Sequence, residues 1–179
     1  MKPSRTAHAF SLIEVIIAVG LFAGTVAIIL GLMGPLSRQA ADSNDIMGAQ
    51  RLPDSIKVEL GRLAHNSLDS LAGQIPVMST PLESGFTLVA ARDATRVQSL
   101  GYLPPTSGQI PLAEHYYLVE CWRFPPKPGD PADELSYTSQ KGFLALYVRV
   151  SWPYHVPGAT TAVSPGNRAQ TIFTVSLNR

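Results

Sequence analysis

The sequence predicts an α+β protein, with a long N-terminal helix packed on a small antiparallel β-sheet. Three observations predict it. An almost wholly apolar run covers residues 10–33, far longer than a strand needs. Apolar residues at helical spacing follow at Ile56, Leu60, Leu63 and Leu71. Short alternating apolar stretches come next, separated by Pro and Gly.

The apolar run, Phe10 to Met33, makes a helix of about 36 Å, enough to cross a bilayer. Lys2 and Arg5 precede it and no acid does, so its start is expected on the cytoplasmic side. An ordinary secretory signal has a shorter apolar core followed by a small-residue cleavage site. Here the small residue, Ala9, comes before the run, and an acid, Glu14, lies inside it. A carboxylate within a membrane segment costs a few kcal/mol and needs a partner. Cleavage between Ala9 and Phe10 would create an ammonium at Phe10, four residues from Glu14. That ammonium can pair with Glu14 of the same chain or of a neighbour. The plainer alternative is a signal anchor that tolerates Glu14 near the interface.

The stretch Ala9-Phe10-Ser11-Leu12-Ile13-Glu14-Val15 resembles the processing motif of type IV prepilins. Ala9 stands where that family usually has Gly. The resemblance covers about 25 residues and implies a type IV pilin-like or minor pseudopilin protein. It implies that a prepilin peptidase cuts before Phe10, that the new N-terminus is methylated, and that Glu14 supports docking into a growing filament. The implied partners are other pilin or pseudopilin subunits, the peptidase, an inner-membrane assembly platform and membrane lipid. The implied location is the inner membrane, in a single pass with a cytoplasmic N-terminus. The C-terminal domain would be periplasmic or part of a surface filament.

Gly20 and Gly24 form a small-xxx-small spacing that would let helices approach closely. Glycine is also simply common in membrane helices, and the sequence leaves both readings open. Gly34-Pro35 is expected to interrupt or kink the helix, and Pro53 to sit in the first turn of a restarted one. Gly73 is a plausible stop. The expected organisation is therefore a leader at 1–9, an assembly helix at 10–34 and an extracytoplasmic domain at 35–179.

Strands are expected at Phe86 to Ala91, Tyr116 to Phe124, Phe143 to Trp152 and Thr171 to Leu177, with a loop from Arg92 to His115. Leu144, Leu146, Val148, Val150 and Trp152 share one face of the clearest strand, with Arg149 and Ser151 on the other. Phe173, Val175 and Leu177 share a face of the last.

The formal charge is +1, with 14 basic and 13 acidic side chains, and gives no basic surplus for nucleic acid. The single cysteine, Cys121, excludes an intramolecular disulfide and reads as a small buried hydrophobe rather than a redox centre. His65, His115 and His155 show no metal-ligand spacing and read as solvated loop residues. No phosphate loop or nucleophile elbow occurs, so no catalytic residue and no cofactor is expected. Asp130, Asp133 and Glu134 form the one weak calcium candidate. These features favour a structural assembly subunit of a type IV pilus or type II secretion pseudopilus over an enzyme. A membrane-tethered periplasmic binding module using the same export route is the alternative.

Overall fold

The computed structural model describes residues 11–65, 67–82, 84–100, 109–129, 131–156, 159 and 161–179. The architecture is α+β. Helix α1 spans Leu12–Leu63 and α2 spans Leu68–Gln74. The strands are β1 Phe86–Ala90, β2 Val97–Ser99, β3 Tyr117–Arg123, β4 Phe143–Trp152 and β5 Ala169–Asn178. They form one antiparallel sheet in the order β2-β1-β3-β4-β5.

Helix α1 is unbroken through both prolines, which corrects the expected interruption at Gly34-Pro35 and the expected restart at Pro53. Each proline removes one backbone donor, which would have bonded to Gly31 and Ala49 respectively. A long helix has enough remaining bonds on either side to carry that gap. One turn past Gly34, the Ser37 hydroxyl donates to the Met33 carbonyl at 2.7 Å. The chain divides into two units, one ending at Asn44 and one running from Asp45 to Arg179. The compact body of the second unit begins inside α1, at Asp45.

In the second unit, Asp45, Ala49, Leu52, Ile56, Glu59 and Leu60 are the buried residues of α1. Their spacing of three and four residues makes one stripe. The stripe packs on the inner face of the sheet, with Leu88, Val119, Leu146 and Val148 in the same core. Leu63 is half-buried at its margin. Leu71, expected on the same helix, is buried from α2 instead. The chain turns between them, and α2 is capped by Ser67, whose Oγ accepts from the Asp69 N–H at 3.1 Å.

Strand β4 has the expected bounds, and all five residues of its apolar face are buried. Its other face is not bare, since Ala145 and Ser151 are buried too. The expected loop after Ala91 contains β2, which the sequence did not reveal. Cys121 lies fully buried in β3, and burial pushes its thiol up to about 12.

Candidate functional site

The first unit presents the apolar part of α1 on its surface. Leu12 is 78% exposed and Phe22 is 72% exposed, and no described residue from Ser11 to Asn44 is buried. This is the only described helix long and apolar enough to cross a membrane. Glu14 sits in its first turn, exposed, with its backbone N–H donating to the Ser11 carbonyl at 3.0 Å. A carboxylate there complements the positive end of the helix dipole. Gly20 and Gly24 lie one turn apart on one face. A Cβ added at either would meet nothing within 4 Å, so neither glycine is required by this unit's own packing. Ala9 and Phe10, the residues of the expected processing site, lie outside the described residues.

At the start of the body, α1 is fastened to the sheet by a cluster that the sequence reading missed. The Asp45 carboxylate is buried and forms an ion pair with Arg92 at 3.0 Å. The Tyr116 hydroxyl donates to Asp45 Oδ2 at 2.5 Å, and the Tyr117 hydroxyl donates to the Asp45 carbonyl at 2.8 Å. The Arg92 guanidinium also lies 4.9 Å from the centre of the Tyr116 ring. Burial, reinforced by the Asp45 carboxylate, raises both phenols, Tyr117 to about 12. Gly48, one turn on, leaves room for the Tyr117 hydroxyl against the helix. No local signal links residues this far apart in the chain. The one available hint was an acid followed by a glycine on the buried stripe of an amphipathic helix.

In the calcium candidate, the Asp133 carboxylate and the carbonyls of Asp133 and Glu134 are engaged by internal contacts. Asp133 and Glu134 lie in a 3-10 turn, Pro131–Leu135, while Asp130 is outside the described residues. Asp133 Oδ1 accepts from the Lys127 N–H at 3.2 Å and from the Ser136 hydroxyl at 3.0 Å. The Lys141 ammonium donates to the carbonyls of Asp133, Glu134 and Ser136 at 2.9, 3.1 and 2.7 Å. A lysine cation thus holds the carbonyl oxygens that a calcium ion would need. Among the described residues, no three His, Cys, Asp or Glu side chains gather as metal ligands.

Two histidines depart from expectation. His65 is exposed, but His115 and His155 are 6% and 4% exposed. The loop before β3 folds back so that His115 Nε2 meets the Ile110 carbonyl at 2.9 Å. The rings of His115 and His155 stand edge to face with centres 6.2 Å apart. Burial lowers the His115 pKa below its ordinary value, the Ile110 carbonyl opposes the shift, and His155 adds to it.

A binding module would need a receptive cleft. One of about 400 Å³ lies on the outer face of the sheet, with Glu120, Arg149, Ser151, Tyr154 and Arg168 in its wall. Its cations are already engaged. Arg149 pairs with Glu120 at 2.8 Å, and Arg168 Nε donates to the Val163 carbonyl at 2.8 Å. Compared with protein-family models, curated proteins and solved structures, the chain matches none.

Proposed function

We propose that the chain is a minor pilin or pseudopilin, a structural subunit that assembles through the N-terminal part of α1. The observation that carries the reading is the exposed apolar surface of α1, which begins with Glu14 in its first turn. A surface of this kind needs lipid, other helices, or both. Gly20 and Gly24 give a neighbouring helix an open face to approach. The prepilin-like stretch from Ala9 to Val15 supplies the route, with cleavage before Phe10 and methylation of the new N-terminus. The ammonium so formed would neutralise Glu14, in the same chain or in the next subunit. The working position is the inner membrane, with the body on the far side of the bilayer from Lys2 and Arg5. The subunit acts by binding, and the peptidase acts on it.

N-terminal sequencing of membrane-extracted protein tests the processing step. The expected start is Phe10, methylated, and copurification with other pilin-like chains is expected from the same preparation. An intact Met1 together with a solitary chain would leave a plain signal anchor as the better reading.

A further inference from the structure

We propose that the end of the body that carries Asp45 rests on the headgroup layer of the bilayer that α1 enters, so that a lipid surface is the partner of this end. The inference rests on the membrane reading of α1 and adds what the body itself touches there.

Strand register identifies that end. Ala90 lies opposite Tyr117, Leu118 opposite Ser151, and Trp152 opposite Ala169. The last residues of β1 and β4 and the first residues of β3 and β5 therefore share one end of the sheet. The Tyr117 hydroxyl donates to the Asp45 carbonyl, which puts the first residue of the body at the same end. Asp45 follows the exposed Leu36 by nine residues, so the tether between them is at most about 30 Å long. The ten residues of β4 put the opposite end of the sheet roughly 30 Å further off.

The connections at the Asp45 end are locked together. The His115 N–H donates to the Leu112 carbonyl at 3.2 Å, and the His155 N–H donates to the His115 carbonyl at 3.0 Å. The Tyr116 hydroxyl ties this joint to the Asp45 carboxylate. Four large apolar side chains stand in solvent around it. Ile46 and Met47 follow Asp45, while Leu112 and Val156 flank the two histidines, and each of the four is about half exposed. None of them belongs to the core cluster.

Charge is distributed to match. No Lys, Arg, Asp or Glu occurs from Pro153 to Asn167, in the connection between β4 and β5. The connection between β3 and β4, at the opposite end, carries Lys127, Asp133, Glu134 and Lys141. The exposed acids near Asp45 are Asp93 and Glu114, and Arg96 neutralises Glu114 at 2.7 Å. Arg92 and Arg168 lie over the rings of Tyr116 and Tyr154, each 4.9 Å from the ring centre. Exposed aliphatic side chains with tyrosine and arginine are the composition of a membrane–water interface. There the apolar atoms enter the acyl boundary and guanidinium groups meet phosphate. A protein partner has to be recruited, whereas the tether holds this end near the bilayer in every copy of the chain.

Fluorescence quenching on the full chain tests it, in vesicles of phosphatidylethanolamine and phosphatidylglycerol that contain nitroxide-labelled phospholipid. Cys121 is fully buried, so a bimane label should enter only an introduced cysteine. With the nitroxide just below the headgroup, labels at Leu112→Cys and Val156→Cys should lose most of their fluorescence. A label at Ser139→Cys, exposed between β3 and β4, should lose almost none. A label at Phe22→Cys, in the apolar run, should be quenched by a nitroxide deep in the acyl chains. Suppose Phe22→Cys is quenched but Leu112→Cys and Val156→Cys are quenched no more than Ser139→Cys. The membrane reading of α1 would then stand and this proposal would be overturned. An unquenched Phe22→Cys would sink both. Labels at Leu112→Cys and Val156→Cys that neither the nitroxide nor aqueous iodide reaches would show protein covering this end in place of lipid, and would overturn the proposal as well.

Discussion

Tyr117 of β3 donates its hydroxyl to the Asp45 carbonyl at 2.8 Å, and Gly48 is the residue of α1 that makes space for it. A Cβ on Gly48 would overlap that hydroxyl, whose ring is fully buried and cannot swing away. Gly48→Ala gains about 1 kcal/mol of helix propensity. It should lose more than that through overpacking, which costs about 1–3 kcal/mol, and through the displaced hydrogen bond. A lower urea midpoint is expected for Gly48→Ala in the detergent-solubilised chain. Gly20→Ala, with nothing near its Cβ, should leave the midpoint unchanged. Equal midpoints for Gly48→Ala and wild type would mean that the helix does not sit on Tyr117 as described.

Asp45→Ala should destabilise the body by about 1.5–3 kcal/mol, the range for losing hydrogen bonds to a charged group. It leaves the Arg92 guanidinium and the Tyr116 hydroxyl without the acceptor they share. Asp45→Asn keeps an acceptor oxygen and should cost less. Chemical denaturation of the three chains ranks them, and an Asp45→Ala chain as stable as wild type would show the cluster to be incidental.

Stability should fall on the acid side through His115. Its folded pKa lies below the ordinary value of 6.5, so the unfolded chain binds more protons in that range. The contribution is complete above the unfolded value and is lost as pH falls through the folded one. The melting temperature should therefore hold near neutrality and drop below about pH 6.5. His115→Gln retains a donor for the Ile110 carbonyl and should flatten that slope. An unchanged slope would place the acid sensitivity elsewhere.

Glu14 should matter for assembly and not for the body. Glu14→Ala removes the carboxylate from the first turn of α1, in a unit where it makes no contact with the core. Membrane insertion should persist, since the run becomes more apolar. Incorporation into filaments should fall sharply. Glu14→Gln keeps the size and hydrogen bonding but cannot form the ion pair, and should resemble Glu14→Ala. Wild-type incorporation of both variants would reduce Glu14 to a tolerated interfacial acid.

Much of the fold was readable along the chain, because its signals are local. The apolar run, the β4 alternation and the buried faces of β4 and β5 all depend on periodicities within one element. Proline misled the reading at Pro35 and Pro53, since its local cost is fixed while the strength of the flanking helix is not. The three-residue β2 is too short to carry a period. Its strand character comes from pairing with β1.

What the sequence by itself determined is the N-terminal apparatus: an apolar segment of spanning length, an acid inside it, and small residues at helical spacing. Those properties need no partner within the chain. Tertiary structure alone decided that Asp45 is a buried anchor, that Lys141 holds the carbonyls of the acidic turn, and that His115 and His155 are buried together. The physical reason is common to all three. Each depends on groups brought together by the packing of separate segments, and neither composition nor spacing records which segments will meet.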